Sequence, residues 1–296
     1  MPLLALHGVS KSYGALKVTD GISLQVHRGE TLGILGPNGA GKTTLFNLIS
    51  GDVRVDAGRI EYAGTDITGL PPHRRCHLGV GRSYQVPQPF GNMSVFENLV
   101  TAACFGAGQP ERQAWDTAVR VLDQTGLMPH ANKPAGSLTL LNRKRLELAR
   151  ALATEPDLLL LDEIAGGLTE HEAHELVAEL QRIKASGVTM IWIEHVVHAL
   201  LSLADRLLVI NFGQKLAEGE PHAVMFLMDE FDQLGRQPLV LSSIKTIRSF
   251  GGRFFIISQT IPGLDDIYGE TGRRSLQGGA GVQIYMTPQD DRTAEV

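Results

Sequence analysis

The chain has 296 residues and a net charge of −5, which suits one large α/β domain, or one domain and part of another, and excludes an overall basic field for nucleic acid or anionic membrane. Its two cysteines, Cys76 and Cys104, form no C-x-x-C pair, so neither a disulfide framework nor a zinc site is indicated and the cytosol is the expected compartment. No apolar run reaches the roughly 20 residues that span a bilayer, and residues 1–10 lack the pattern of a signal peptide, so we expect any membrane spans to come from other subunits.

The N-terminal part predicts strands followed by a phosphate-binding loop. Strands are expected over residues 3–9, 22–26 and 31–35, and a helix is expected over residues 43–49 with Gly51 as its C-terminal cap. The segment between them, Gly36-Pro-Asn-Gly-Ala-Gly-Lys-Thr-Thr44, fits the pattern G-x-x-x-x-G-K-[ST]. The Lys-Thr pair and the preceding strand favour NTP binding over a plain glycine-rich turn.

Each residue type in this loop has a part in holding phosphate. Gly36, Gly39 and Gly41 allow the backbone to curl so that its N–H groups face phosphate oxygens, at the positive end of the next helix. Lys42 is expected to bridge the β and γ phosphates, and Thr43 is expected to hold Mg²⁺.

The rest of the first 224 residues predicts a helical insertion within an α/β core. Further strands are expected over residues 59–62, 80–85, 157–161, 189–193 and 206–210. Helices are expected from Pro71-Pro72 and over residues 94–103, 111–125, 142–153, 170–185 and 196–204, with a capping box that begins at Thr169. The order predicts an α/β fold with a parallel sheet, of the P-loop NTPase type.

Polar residues follow three of these strands. Asp162 and Glu163 are expected at the edge of the sheet where ligands bind. One carboxylate can hold Mg²⁺ while the other orients and deprotonates the attacking water. The alternative is an acidic pair that caps the next helix. Gln85 carries an amide that can bind the metal or the water. His195 is either a contact for the γ phosphate or a structural histidine.

Together these residues resemble the nucleotide-binding subunit of an ABC transporter over about residues 3–224, with an ABC-type β-subdomain and a helical subdomain at about residues 86–153. The runs at residues 96–99, 144–152 and 217–221 are similar to those of ATPases from branched-chain amino acid importers. The resemblance implies ATP and Mg²⁺ as cofactors and ATP hydrolysis coupled to amino-acid transport at the cytoplasmic face of the membrane. It implies integral-membrane permease subunits, a second ATPase subunit in a head-to-tail homodimer or heterodimer and, indirectly, a solute-binding protein as partners, with no direct nucleic acid.

The resemblance also implies a role for each site residue. Glu163 is the general base, Asp162 binds Mg²⁺, Gln85 forms the Q-loop and also reaches the metal, His195 is the switch histidine, and Tyr13 stacks on adenine. The other nucleotide-binding residues that it implies are Gly36, Asn38, Gly39, Gly41, Lys42, Thr43, Thr44 and Thr139.

One departure from the family concerns its signature motif, Leu-Ser-Gly-Gly-Gln, in whose place this chain has Leu138-Thr139-Leu140-Leu141-Asn142. Leu140 and Leu141 bring bulk where two glycines let the backbone approach a partner's γ phosphate. Thr139 keeps a hydroxyl at a helix N-terminus, so we expect phosphate contact to be weakened rather than lost. Hydrolysis in a homodimer is therefore in doubt, and a heterodimer with a better signature is the alternative.

Residues 225–296 follow a different β-α-β pattern. Strands are expected over residues 226–228, 254–258 and 282–286, with a helix over residues 239–249. The segment resembles part of the ATPase of type IV secretion coupling proteins, a partial RecA-like fragment in which Asp229 and Glu230 are Walker B residues and Gln259 is a phosphate sensor. It contains no second P-loop, so we expect no ATP binding by this segment alone and interpret the chain as a fusion, with a regulatory extension as the alternative.

The leading functional hypothesis is an ATPase that drives solute import. A component of a conjugative DNA-transfer ATPase and a nucleotide-dependent switch with little turnover are the alternatives. The permease and the binding protein, not this subunit, select the solute.

Overall fold

The computed structural model describes residues 1–194, 196–219, 225–228, 253–256 and 261–279. The chain divides into two units, Met1–Glu218 and Gly219–Val296. The strands of the first unit are Leu4–Tyr13 (β1), Leu16–Val26 (β2), Thr31–Leu35 (β3), Ala57–Tyr62 (β4), Thr65–Asp66 (β5), Val80–Arg82 (β6), Leu158–Asp162 (β7), Thr189–Ile193 (β8), Arg206–Asn211 (β9) and Gln214–Gly219 (β10). Its α-helices are Lys42–Ser50 (α1), Pro72–His77 (α2), Val95–Gly106 (α3), Glu111–Gln124 (α4), Leu140–Ala153 (α5), Glu170–Ala185 (α6) and Val197–Leu201 (α7).

The central sheet has the strand order β10-β9-β3-β8-β7-β6, and all of its strands except β10 come from predicted apolar runs. The strand β3 pairs in parallel with both β8 and β9, and β7 pairs in parallel with β6 and β8. Every residue of β7 and β8 is buried, as expected for parallel strands covered on both faces. The carboxyl ends of β3, β7 and β8 therefore meet at one edge of the sheet. The P-loop follows β3, Asp162 and Glu163 lie at the end of β7, and Glu194 follows β8.

A second, antiparallel sheet has the strand order β2-β1-β4-β5. Leu4 pairs with Val26 on one side and with Tyr62 on the other. Its apolar side chains join the central sheet and Phe46 of α1 in one hydrophobic cluster. The shared cluster holds β1, which ends at Tyr13, against the central sheet and α1.

The predicted helical insertion is confirmed as the helices α3, α4 and α5. Ser94 caps α3 through a capping box with Glu97, and the apolar faces of the three helices bury Leu99, Val121 and Leu146 completely. The third helix begins at Leu140, two residues before the predicted start, because Thr139 acts as its N-cap and accepts a hydrogen bond from the Asn142 amide.

The second unit contains a parallel pair, Met225–Met228 (β11) with Arg253–Ile256 (β12), and the helix Ile261–Gly279 (α8). The parallel pair agrees with the predicted β-α-β pattern, whereas α8 was not predicted and is interrupted at Gly269, which has φ 69°. Asp229, Glu230, Gln259 and the predicted elements at 239–249 and 282–286 lie outside the described residues. Across the parts of both units that the structure describes, no helix has the length and apolar character to cross a bilayer.

Candidate functional site

The loop between β3 and α1 adopts a conformation that requires glycine at two positions. A Cβ atom on Gly36 would lie 2.2 Å from the Ile210 carbonyl oxygen, and one on Gly41 would lie 2.3 Å from the Val18 carbonyl oxygen. Gly41 is also the N-cap of α1, with a left-handed φ of 98°. The glycines therefore let the loop pack tightly on its neighbours and turn directly into the helix.

Lys42, the first residue of α1, lies under this loop. Its side chain is buried, and Nζ donates hydrogen bonds to the carbonyl oxygens of Gly36 at 2.7 Å and Pro37 at 3.0 Å. Burial lowers the pKa of the ammonium group, while the carboxylates of Glu163 and Asp162 act in the opposite direction. The charge thus lies at the sheet edge between the loop and the two acids.

The other predicted ligands of the nucleotide remain accessible. Asn38, Gly39 and Thr43 are exposed and Thr44 is half-buried. Tyr13, at the end of β1, is 51% exposed, and the Lys11 ammonium lies 5.6 Å from its ring centroid. The proposed contacts of Tyr13 with adenine and of the loop with phosphate stay predictions.

Asp162, the last residue of β7, is buried and has an unusual environment. Its Oδ1 has no hydrogen-bond partner among the described residues, and Oδ2 lies 3.5 Å from a guanidinium nitrogen of Arg82. Burial raises the pKa of this carboxyl group, and the neighbouring Glu163 raises it further. A buried carboxylate oxygen without a partner suits a hard cation such as Mg²⁺, for which carboxylates and hydroxyls are common ligands.

Glu163 directly follows β7, and its main chain is held in a strained conformation. It has a left-handed φ of 47°, and its amide donates to the Ile193 carbonyl at 2.9 Å. Its side-chain Oε2 accepts a hydrogen bond from Gln85 Nε2 at 2.5 Å. The structure therefore brings the predicted base and the predicted Q-loop residue together, with the Gln85 amide on Glu163.

Two basic residues that the sequence analysis did not single out complete the site. Arg82 donates to Asn47, Ser50 and Asp52 while it lies beside Asp162. Lys144, on α5, donates through Nζ to the carbonyl oxygens of Gln85 at 2.8 Å and Glu163 at 3.1 Å. The only signal for Lys144 in the sequence is a charged residue among the apolar positions of a helix. His195 lies outside the described residues.

Residues 138–142, which stand in place of the family's signature motif and are called the signature slot below, differ from expectation in the exposure of their two leucines. Leu141 is buried in the protein, whereas Leu140 is 47% exposed, and its Cδ2 lies 3.5 Å from the position of a Cβ atom on Gly167. Only one of the two leucines therefore presents its side chain outward beside the exposed Thr139.

Comparisons with known proteins agree with this architecture. Residues 19–166 match the ABC transporter family. The chain is 35% identical over 238 residues to the high-affinity branched-chain amino acid transport ATP-binding protein BraF of Pseudomonas aeruginosa, and 35% identical over 242 residues to LivG of Salmonella typhimurium; each alignment covers 75% of this chain and 93% of the relative. A crystal structure of a nucleotide-free ATP-binding cassette from an ABC transporter superposes with a TM-score of 0.68 at 32% identity, over 74% of this chain and 92% of that one.

The parallel sheet, the glycine-rich loop and the acids at the end of β7 define a P-loop NTPase. The chain belongs to the ABC transporter family and is an ATPase of the ABC type. Its C-terminal segment, residues 223–296, matches a second family, described as the TraM recognition site of TraD and TraG. This match agrees with the predicted resemblance to coupling proteins.

Proposed function

We propose that the chain hydrolyses ATP with the P-loop as its phosphate cradle and Glu163 as the general base. The observation that carries this proposal is that the P-loop with Lys42 follows β3 while Asp162 and Glu163 lie at the carboxyl end of β7, a parallel strand of the same sheet. Lys42 exchanges its two loop carbonyl partners for oxygens of the β and γ phosphates. Glu163 accepts the proton of the attacking water, and Gln85 orients the Glu163 carboxylate and the water beside it.

Thr43 and Asp162 would hold Mg²⁺, with Gln85 nearby, and the bound ion would neutralise charge on the β and γ phosphates. Oδ1 of Asp162, for which the described residues offer no hydrogen-bond partner, supports this role. His195 is proposed as the residue that senses the γ phosphate, and Tyr13 as the adenine platform.

The transport role follows from the relatives. Because BraF and LivG are named as branched-chain amino acid transport ATP-binding proteins and are covered over 93% of their length, we infer that this chain powers the import of branched-chain or related amino acids. Its partners are then permease subunits in the membrane, a second ATPase subunit and, indirectly, a solute-binding protein. In this role the chain is peripheral, at the cytoplasmic face of the membrane.

Leucine uptake into proteoliposomes tests this function. The vesicles contain the permease subunits and the binding protein of a branched-chain amino acid importer, with either the wild-type chain or the E163Q variant. Radiolabelled leucine should accumulate with ATP and the wild-type chain, and not with E163Q. Rapid ATP hydrolysis without uptake of leucine, isoleucine or valine would contradict the assigned substrate class.

A second candidate function rests on the C-terminal match. We propose that residues 1–224 form the ABC domain and that residues 225–296 are a separate, incomplete coupling-protein-like segment without a P-loop. If that segment governs the role of the chain, purification from cells should recover DNA-transfer proteins rather than permease subunits.

The exposed Leu140 in the signature slot favours a third candidate function, a nucleotide-dependent switch with little turnover. A measured steady-state ATPase rate near zero would support it.

A further inference from the structure

We propose that Lys144 is a positioning residue for ATP hydrolysis, which fixes the main chain of Gln85 and Glu163 from the helix that starts at the signature slot. The proposal rests on Glu163 being the general base. Lys144 itself contacts neither the P-loop nor Asp162 through any hydrogen bond of the described residues.

Three hydrogen bonds form a closed ring around the base. Lys144 Nζ donates to the Gln85 carbonyl at 2.8 Å and to the Glu163 carbonyl at 3.1 Å. Gln85 Nε2 closes the ring by donating to Glu163 Oε2 at 2.5 Å. A displacement of Lys144 therefore acts on the Glu163 carboxylate by two routes, through the main chain of Glu163 and through the side chain of Gln85.

Lys144 is buried, so its ammonium group depends on these hydrogen bonds for stabilisation. The residue is only 4% exposed, and an unpaired ammonium in such a place would be strongly unfavourable. Burial lowers the pKa of Lys144, while the nearby carboxylates of Glu194, Glu163, Asp162 and Glu147 favour its charged form. Both of its hydrogen bonds go to main-chain carbonyls, so it orders the backbone rather than neutralising one acid as a direct ion pair.

The Glu163 backbone is where such ordering has most effect. A left-handed φ of 47° is sparsely populated for a residue with a side chain. Its amide is held by the Ile193 carbonyl, and Lys144 holds its carbonyl on the other side. Fixing both ends of the residue fixes the direction in which the carboxylate leaves the sheet edge.

The same face of α5 holds the rest of the segment that contains Gln85. Glu147 Oε2 accepts a hydrogen bond from the Gln88 amide at 3.4 Å, and Arg150 donates to the Gln88 carbonyl at 2.8 Å. The Arg150 guanidinium also lies 5.0 Å from the ring centroid of Phe90. Arg150 therefore belongs to the contacts that hold the Gln85 segment and is not a neutral control. Lys184, on α6, is a better one: its Nζ donates to the main-chain carbonyl of Leu203 at 2.7 Å, and among the described residues it makes no hydrogen bond to the Gln85 segment or to Glu163.

The test compares K144M with K184M in the full chain, by ATPase kinetics and by equilibrium binding of ATP. Methionine keeps the length of the buried stem and removes the donor. We expect K144M to lower kcat by more than about tenfold with ATP affinity changed by less than about threefold, since small displacements of catalytic groups can cost as much as a hundredfold in rate. K184M should keep kcat within about twofold, as expected for a contact away from the reacting groups.

A double-mutant cycle separates positioning of the base from a general structural role. If Lys144 acts through Glu163, adding K144M to E163Q should slow that variant by less than about twofold, because coupled residues are not additive. Additive effects, a wild-type rate for K144M, or a parallel loss of ATP affinity and kcat would each overturn the proposal. If K144M does not fold, K144Q is judged by the same criteria. A wild-type rate for E163Q would instead refute the proposed role of Glu163, whatever K144M shows.

Discussion

Gln85 and Glu163, 78 residues apart in the chain, are joined by a hydrogen bond of 2.5 Å from the amide Nε2 to the carboxylate Oε2. Gln85 lies between the short strand β6 and the helical insertion, whereas Glu163 lies at the edge of the central sheet. The carboxylate assigned as the base is thus oriented by a segment that belongs to a different part of the fold. Rearrangement of the segment around Gln85 would consequently change the position of the base.

Replacing Lys42 by methionine should weaken ATP binding by about 10–100-fold, the effect expected from losing hydrogen bonds to a charged group. The K133M variant removes an exposed lysine and should bind ATP normally. Equilibrium titration with a fluorescent ATP analogue measures both. Equal affinities for the two variants would show that Lys42 does not contact phosphate.

The D162N variant tests the metal site. Because Oδ1 of Asp162 is buried with no hydrogen-bond partner in the described part of the chain, we expect the Mg²⁺ concentration for half-maximal ATPase activity to rise by more than about tenfold, a loss that even outer-shell changes can produce. Asp157 pairs with Arg28 at the opposite end of β7, and D157N should leave the Mg²⁺ dependence unchanged. A normal Mg²⁺ titration for D162N would remove Asp162 from the metal site.

The two leucines of the signature slot should respond differently to truncation. L140G removes an exposed side chain beside Gly167 and should raise the ATPase rate, because it opens the approach to a partner's nucleotide. L141A removes a buried side chain and should lower the free energy of unfolding by about 2–5 kcal/mol without raising the rate. A tight ATP-dependent homodimer of the wild-type chain in size-exclusion chromatography would contradict the argument about Leu140.

Truncation after His222 tests the division of the chain. The P-loop, Asp162 and Glu163 all lie within Met1–Glu218, so ATP affinity should stay within about twofold of that of the full chain, the scatter expected for independent sites. Removal of the apolar strands β11 and β12 should also improve solubility. A large loss of affinity, or a much lower Tm, would show that the C-terminal segment is part of the ATPase core.

Local sequence signals were sufficient for part of the fold. The bounds of β3, β8 and α6 agree with prediction, because both strands begin shortly after a glycine with positive φ, Gly29 or Gly187, and Thr169 forms the expected capping box with Glu172. The short strand β5 and the exposed strand β10 were missed. Their residues carry little hydrophobic pattern, and pairing with neighbouring strands stabilises them.

Like the fold, the candidate site could be predicted from the sequence only in part. The P-loop and the Asp162-Glu163 pair follow strands that the sequence makes recognisable, so their convergence at one edge could be predicted. The contacts of Lys144 could not be predicted, since its partners Gln85 and Glu163 are 59 and 19 residues away in the chain.

The helix α8 was missed because glycines such as Gly269 interrupt its pattern.

The most direct test of the account is single-turnover hydrolysis of ATP by the E163Q variant, with ATP affinity measured on the same protein. Glutamine keeps the shape of the side chain and removes the base, so affinity should be preserved while the hydrolysis rate falls by about 10²–10⁴-fold, the usual contribution of general base catalysis. An unchanged rate at unchanged affinity would contradict the central claim that Glu163 activates the attacking water.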